Sequence, residues 1–594
     1  MSRKWSFAPH DRSVIARLSK EMNCSPLLAQ VLASRGISNG IEGERFLSAK
    51  LVDLIDPEEL PGASAAADRV VAAIQAGRRV TVYGDYDVDG VTATSLLWHC
   101  LKLVGANVDY YIPSRMEEGY GLNLEAIRTF HAEDPQRLVL TVDCGICSLQ
   151  EAALAKELGL ELIVTDHHTL DESLPEAAVN VHPRLPGTAY PFPDLCGAGV
   201  AFKLAWAICK RFGDGTKSSP RMREYLKTAV GLAAMGTIAD VVPLKGENRI
   251  IVRYGLQSLI ENSLPGLEFL RKIAGIDKQK SLTAEDIAFG LAPRINAAGR
   301  LGQARLAVEL LTTDNRTRAA QLTDYLDQLN KNRQTVERKM YRLAKEMVEA
   351  NPDWEAHPTL VVASDEFHPG VMGIVASRLT EKFQKPTIMI SLNAETGLGQ
   401  GSGRTCNGFN LHAGLDVCRD HLVTFGGHRA AAGLRIQIAR IDEFRIAFAQ
   451  AAQAGVDEGE VVPSELHIDA EVSLHDLNVG AVQELERLGP FGAEHRRPIF
   501  CVNEVQLVEP PSTMGGGDRH LCLKVRQGDR VMRCVAFGKG EWAAEIGQAD
   551  GPISLCFSAN INQFRGVGNV ELQLHDWRPA ETVHSSSTTI SSAV

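Results

Sequence analysis

The sequence predicts a multidomain α/β protein with a β-rich C-terminal part, and three observations predict it. The chain has 594 residues, too many for one hydrophobic core, and such a length suggests roughly three to five domains. Between residues 65 and 182 the apolar runs RVTVYG, NVDYYI, LVLTV, ELIVT and AAVNV alternate with helical stretches. That is the pattern of a mainly parallel sheet covered by helices. Residues 464 to 578 instead read as short strands separated by turns, which suits a small Greek-key barrel of the OB type.

Taken in order, residues 1–60 form an N-terminal helical segment and residues 61–250 the first α/β domain. Residues 251–350 are a helical region, in which Thr317 to Ala350 contains neither Gly nor Pro. A helix there would be roughly 50 Å long and would connect two lobes. Residues 351–458 make a second, smaller α/β domain, with strand TLVVAS, helix GVMGIVASRLTEKF, strand PTIMI and a Gly-rich stretch from Gly397 to Gly433. Residues 459–578 are the β-rich domain, and 579–594 a Ser/Thr-rich disordered tail.

Hydrophobic residues make up 44% and charged residues 23%, the balance of an ordinary globular protein. The first residues lack the apolar core of a signal peptide, and no apolar run approaches the roughly 18 residues of a membrane span, so a soluble, cytoplasmic protein is expected. The 12 Cys lie at irregular spacings, which fits reduced core thiols better than a disulfide framework. Cys144 and Cys147 form one CxxC, but no second pair follows at zinc-finger spacing. A net charge of −11 argues against holding nucleic acid by global attraction. Such contact must rest on local basic tracks: Lys203, Lys210, Arg211, Lys217, Arg221 and Arg223, or Arg519, Lys524, Arg526, Arg530 and Arg533.

In parallel α/β sheets ligands bind beyond the carboxyl ends of the strands. Three of the predicted strands end in candidate ligands: Asp85, Asp87 and Asp89; Asp143; and Asp166, His167 and His168. A later apolar run, KTAVGLAAMGTIADVVPL, ends at Asp240. In an extended segment the alternating Asp85, Asp87 and Asp89 share one side. Taken singly, Asp143 could cap the helix beginning near Ser148 and the histidines could be surface residues. Taken jointly, hard oxygen donors plus imidazole suit Mn²⁺ or Mg²⁺. Two ions about 3.5–4 Å apart, bridged by Asp143, activate water for in-line phosphoester hydrolysis.

The motifs YGDYDVDG, VDCGI, TDHH and ADVVPL resemble, in that order, the four motifs of the DHH phosphoesterase superfamily. RINAAGR, HPGVMGIVASRL, GSGRTCNGFNLH and FGGHRAAAG resemble the RecJ family of single-strand-specific 5′→3′ DNA exonucleases, and LGPFG the opening of its OB-like domain. The resemblance covers residues 60 to 575 and implies a DHH domain and a smaller DHHA1 domain joined by a long helix, plus an OB-like domain. It implies Asp85, Asp87, Asp89, Asp143, His167 and Asp240 as ligands of two ions, with His168 facing the scissile phosphate and sharing catalysis with Asp143. Arg115, Arg300, Ser402, Arg404 and His428 become substrate contacts. Single-stranded DNA, a single-strand-binding protein and a repair helicase are implied partners of a monomer that works in DNA repair and recombination. Phe537 and Phe564 would stack bases or fill the barrel core. Two departures stand out: Tyr83 sits where many smaller DHH phosphatases have a metal-binding His, and LGPFG is followed by AEHRRPIF in place of the family's usual Gly-Asn-Pro.

Overall fold

A computed structural model describes residues 3–114, 118–119, 121–213, 219–351, 354, 357–406, 408–457, 465–562 and 568–580. The described residues form two compact units, one between residues 50 and 457 together with 492–495, the other made of residues 3–49, 465–491 and 496–580. Arg115, Lys217, Phe564 and the tail from 581 lie outside the described residues. Among the described residues no helix is long and apolar enough to cross a membrane.

The first unit opens with a five-stranded sheet whose pairs are all parallel. Its order is Asn107–Tyr111, Arg79–Tyr83, Leu138–Thr141, Glu161–Thr165, Val179–Val181. The chain therefore reverses its direction of travel across the sheet between the first strand and the third. A crevice opens at such a switch point, and Asp85 and Asp143 leave from its two sides. Both faces of the sheet are covered, which is why its strands read as continuous apolar runs. Helices Val88–Leu103, Gly197–Arg211 and Pro220–Ala239 pack against one another beside it.

Helix Arg316–Glu349 runs 34 residues from Asn315, whose side chain caps it by accepting from the Arg318 backbone, and at 1.5 Å per residue it spans about 50 Å. It leads to a second, mixed sheet in the order Thr424–Gly427, Ala431–Gln437, Leu398–Arg404, Thr387–Asn393, Leu360–Ser364.

In the other unit, strands Phe500–Leu507, Ile553–Asn562, Asn569–Pro579, Arg530–Ala536 and His520–Gln527 pair in sequence, and Gln506–Leu507 against Val525–Arg526 closes the ring. This is the five-stranded barrel that the strand spacing suggested. Residues 3–49 belong to this unit. Strand Lys4–Phe7 pairs with Glu465–Ile468, and Leu18, Leu28 and Leu32 share one core with Leu485, Phe500 and Leu523.

Three residues of the first basic track, Lys203, Lys210 and Arg211, are engaged within the fold, whereas Arg221 and Arg223 are exposed. Lys203 is fully buried and paired with Glu247, Lys210 binds Asp56 at 3.0 Å, and Arg211 binds Glu58 and Asp68. These cations clamp the acidic stretch 55–68 to helix Gly197–Arg211. The second track is exposed: Lys524, Arg526 and Arg533 alternate with buried Leu523, Val525 and Cys534 on two neighbouring barrel strands. Phe537 is 58% exposed, its ring edge-on to His520 at 5.4 Å, so it does not fill the barrel core. All twelve cysteines are free thiols.

Candidate metal centre

After strand Arg79–Tyr83 the chain turns at once into helix Val88–Leu103. Asp87 is its N-cap, with Oδ1 accepting from the backbone of Asp89 at 2.8 Å and Gly90 at 3.1 Å. The three aspartates therefore do not share one side of an extended segment, and that expectation is corrected. The helical turn splits them: Asp85 and Asp87 group with Asp143, whereas Asp89 groups with His167 and Asp240, ligand atoms in each group lying within 4.8 Å of one another. Tyr83 is buried, stacks on Tyr111 at 5.3 Å and donates to the Gly121 carbonyl at 2.9 Å. It is core.

Asp143 follows strand Leu138–Thr141 with φ +61°, a conformation Asp tolerates better than most residues. It caps no helix, since Ser148 occupies the N-cap position of Leu149–Leu158. Asp89 accepts from the Gly197 and Ala198 backbone at 2.6 and 2.9 Å, so the amino end of helix Gly197–Arg211 points its positive dipole at this carboxylate. The approach demands glycine: a Cβ on Gly197 would lie 2.5 Å from Asp143 Oδ1, and one on Gly236 would lie 2.2 Å from Asp89 Oδ1. Asp240 ends helix Pro220–Ala239 as its C-cap.

These carboxylates converge on His167. Its Nε2 lies 3.1 Å from Asp143 Oδ1, 3.6 Å from Asp240 Oδ2 and 3.8 Å from Asp89 Oδ2, is buried, and has no hydrogen-bond partner. Burial holds the ring neutral, pushing its pKa down to about 4. Burial and then the neighbouring carboxylates push Asp143 well up, and burial followed by Asp89 and Asp87 raises Asp240 to about 8. A neutral imidazole facing crowded carboxylates is a donor set that fits a divalent cation, whose charge removes the repulsion.

His168 is held differently. Asp166 Oδ1 accepts from its backbone at 3.2 Å and lies 2.7 Å from its Nδ1, while Oδ2 accepts from Ile146 at 2.9 Å. Burial opposes both charges, yet this bond holds Asp166 down at about 2 and raises His168 to about 9. The result is an imidazolium–carboxylate pair.

In the second sheet, Ser402 and Arg404 line a cavity of about 270 Å³ with Gly370, Met372, Gln400 and Gly427. Arg404 donates to Ser402 Oγ at 3.3 Å. Arg300 donates to the Gly370 carbonyl at 3.3 Å. His428 is exposed in the following turn and is not among the residues lining the cavity.

Comparison with known proteins gives these groups a context. The model of the DHH family, N-terminal domain, matches residues 79–237, that of the DHHA1 domain 357–454, and that of the RecJ OB domain 468–576. The chain is 38% identical over 574 residues to the single-stranded-DNA-specific exonuclease RecJ of Bacillus subtilis, covering 96% of this chain and 70% of that one. It is 34% identical over 568 residues to RecJ of Escherichia coli, covering 92% and 95%. The chain belongs to the RecJ family. Its fold is similar to the crystal structure of RecJ from Thermus thermophilus in complex with Mn²⁺, with a TM-score of 0.81 at 32% identity over 98% of this chain and 81% of that one. The Mg²⁺ complex of the same RecJ gives 0.74 at 30% identity, over 98% and 79%. A DHH domain with a parallel sheet, a DHHA1 domain and an OB domain are thus all present.

Asp166, a candidate ligand by its place at a strand end, pairs with His168 as its orienting partner, a role that a carboxylate directly before a His pair signals. Other residues that build the RecJ-like site are not singled out by the sequence pattern. Asn296 Oδ1 accepts from Val88 at 3.2 Å, and a Cβ on Gly299 would lie 2.2 Å from the Tyr86 carbonyl, so the RINAAGR helix supports the aspartate turn as well as carrying Arg300. Gly197 and Gly236 give no signal of their own, because their close approaches depend on contacts between segments far apart in the chain.

Proposed function

We propose that the chain is a single-stranded-DNA-specific exonuclease that hydrolyses phosphodiester bonds from the 5′ end with two divalent cations, Mn²⁺ or Mg²⁺, releasing 5′-mononucleotides in cytoplasmic DNA repair and recombination. The observation that carries this reading is the convergence of Asp89, Asp143 and Asp240 on the neutral, unpartnered Nε2 of His167.

Asp85, Asp87 and Asp143 would hold one ion, and Asp89, His167 and Asp240 the other, with Asp143, 3.1 Å from His167, within reach of both. Cations bound there polarise phosphoryl oxygens and lower the pKa of water. His168, locked through Nδ1 to Asp166, meets a phosphate oxygen through Nε2 and stabilises charge as it develops. Arg404 and Ser402 offer a planar fork and a hydroxyl for a terminal phosphate. Helix Ala292–Arg300 touches the aspartate turn through Asn296 and the cavity rim through Arg300. That helix fixes the span between terminal phosphate and scissile bond, and with it the product length. The exposed Lys524, Arg526, Arg533 and Phe537 of the barrel suit a single strand's backbone and bases. A single-strand-binding protein and a repair helicase would present the strand.

Single strands labelled at the 5′ or the 3′ end, incubated with Mn²⁺ or Mg²⁺, test the reading against the Asp143→Ala variant. The 5′ label should appear first, as mononucleotide, and only with the wild type. Release from the 3′ end first, or equal rates on blunt duplex, would overturn it.

A further inference from the structure

We propose that His182 is a positioning residue for His168, and the proposal rests on the role given to His168 above. His182 follows the last strand of the parallel sheet, Val179–Val181, beside the strand that delivers Asp166. It is fully buried. Its Nε2 lies 2.9 Å from the His168 carbonyl, and its Nδ1 accepts the Arg184 backbone N–H at 3.0 Å.

A ring nitrogen that accepts from an N–H carries no proton. The proton of His182 is therefore on Nε2 and is donated to His168. The main chain at Arg184 thus selects the tautomer that the site uses, as partners of metal-site histidines do elsewhere. His182 is itself fixed by its backbone, which donates to the Pro61 carbonyl at 3.3 Å, and Asp166 donates its backbone N–H to Val181 at 3.1 Å.

His168 is consequently held at three atoms. Asp166 accepts from its backbone N–H and pairs with its Nδ1, and His182 binds its carbonyl. The first two bonds aim the ring, while the third stops the peptide after His168 from turning. A buried imidazole costs more to desolvate than the aliphatic side chain that would fill the same volume, and His182 is in none of the metal-holding groups among the described residues. Its two ring bonds account for its presence.

Three full-length variants separate positioning from packing. Gln at 182 carries an amide donor long enough to reach the His168 carbonyl. Asn can accept from Arg184 but cannot reach His168, and Leu does neither. On a 5′-phosphorylated single strand with Mn²⁺, His182→Gln should keep kcat within about threefold, while His182→Asn and His182→Leu lose about 10- to 100-fold, the usual effect of removing such a support. KM and the Mn²⁺-induced rise in melting temperature should stay as in the wild type. Equal kcat in the Gln and Asn variants would overturn the proposal, as would a loss of kcat that tracks the loss of melting temperature. If the Leu variant does not fold, the Gln and Asn pair still decides. A histidine ¹⁵N spectrum of the wild type tests the geometry whatever the substrate proves to be. The Nε2–H tautomer at His182 is required, and the Nδ1–H form would contradict it.

Discussion

His168 Nδ1 lies 2.7 Å from Asp166 Oδ1, and the same carboxylate receives the backbone N–H groups of His167 and Ile146. One buried side chain thus orders the turn that presents both histidines, one toward the carboxylates and the other toward the proposed substrate. Asp166→Asn should lower kcat by about 10- to 100-fold while leaving the Mn²⁺-induced rise in melting temperature nearly intact. Steady-state kinetics beside a thermal melt checks this. Loss of the Mn²⁺ effect would mean that Asp166 is itself a ligand.

Gly236 allows helix Pro220–Ala239 to close on Asp89, since a Cβ there would sit 2.2 Å from its Oδ1 and 2.6 Å from the Ala198 Cβ. Gly236→Ala should destabilise the protein by about 1–3 kcal/mol, as overpacking does, and should abolish Mn²⁺ stabilisation. Urea unfolding with and without Mn²⁺ measures both effects. A variant with wild-type response would show that the helix is free to move away.

Arg404 lines the cavity with Ser402. If that cavity takes the terminal phosphate, Arg404→Ala should raise KM for a 5′-phosphorylated strand by about 10- to 100-fold, the size of a hydrogen bond to a charged group, and should barely change KM for a 5′-hydroxyl strand. Competition between the two strands reads the difference directly. Equal losses would place Arg404 elsewhere on the path of the strand.

Burial raises Asp89, Asp143 and Asp240 above the ordinary carboxylate value of 3.8, Asp240 to about 8. A carboxyl raised by folding stabilises fully below its unfolded pKa, and that contribution is lost as pH rises through the folded value. Metal-free protein should therefore lose stability between about pH 4 and pH 8 through these groups. Asp240→Asn should match the wild type near pH 4 and exceed it increasingly up to pH 8, and stabilisation by Mn²⁺ should grow over the same window. Melts of both proteins in chelator and in Mn²⁺ test it, and a gap that closes toward pH 8 would reverse the assignment.

The parallel sheet was legible because its strands are apolar runs of strand length, and its carboxyl ends mark a site without further information. Asp85, Asp143 and His167 followed from that rule, and the connector helix from an unbroken stretch free of Gly and Pro. What the sequence hid was pairing over distance. Lys203, Lys210 and Arg211 look like a basic track until Glu247, Asp56 and Glu58 fold onto them. Residues 3–49 look like a lead-in to the nearest domain, yet Leu18 and Leu28 find their core beside Phe500. The aspartate turn failed for a local reason: Asp87 caps a helix, and a period of two gives way there to a period of 3.6.

Two cations are expected among these side chains, and anomalous diffraction at the manganese edge from crystals soaked in Mn²⁺ locates them. Two peaks about 3.5–4 Å apart are predicted, one beside Asp85, Asp87 and Asp143 and the other beside Asp89, His167 and Asp240. A single peak, or density away from His167, would rule out a two-cation centre at these residues.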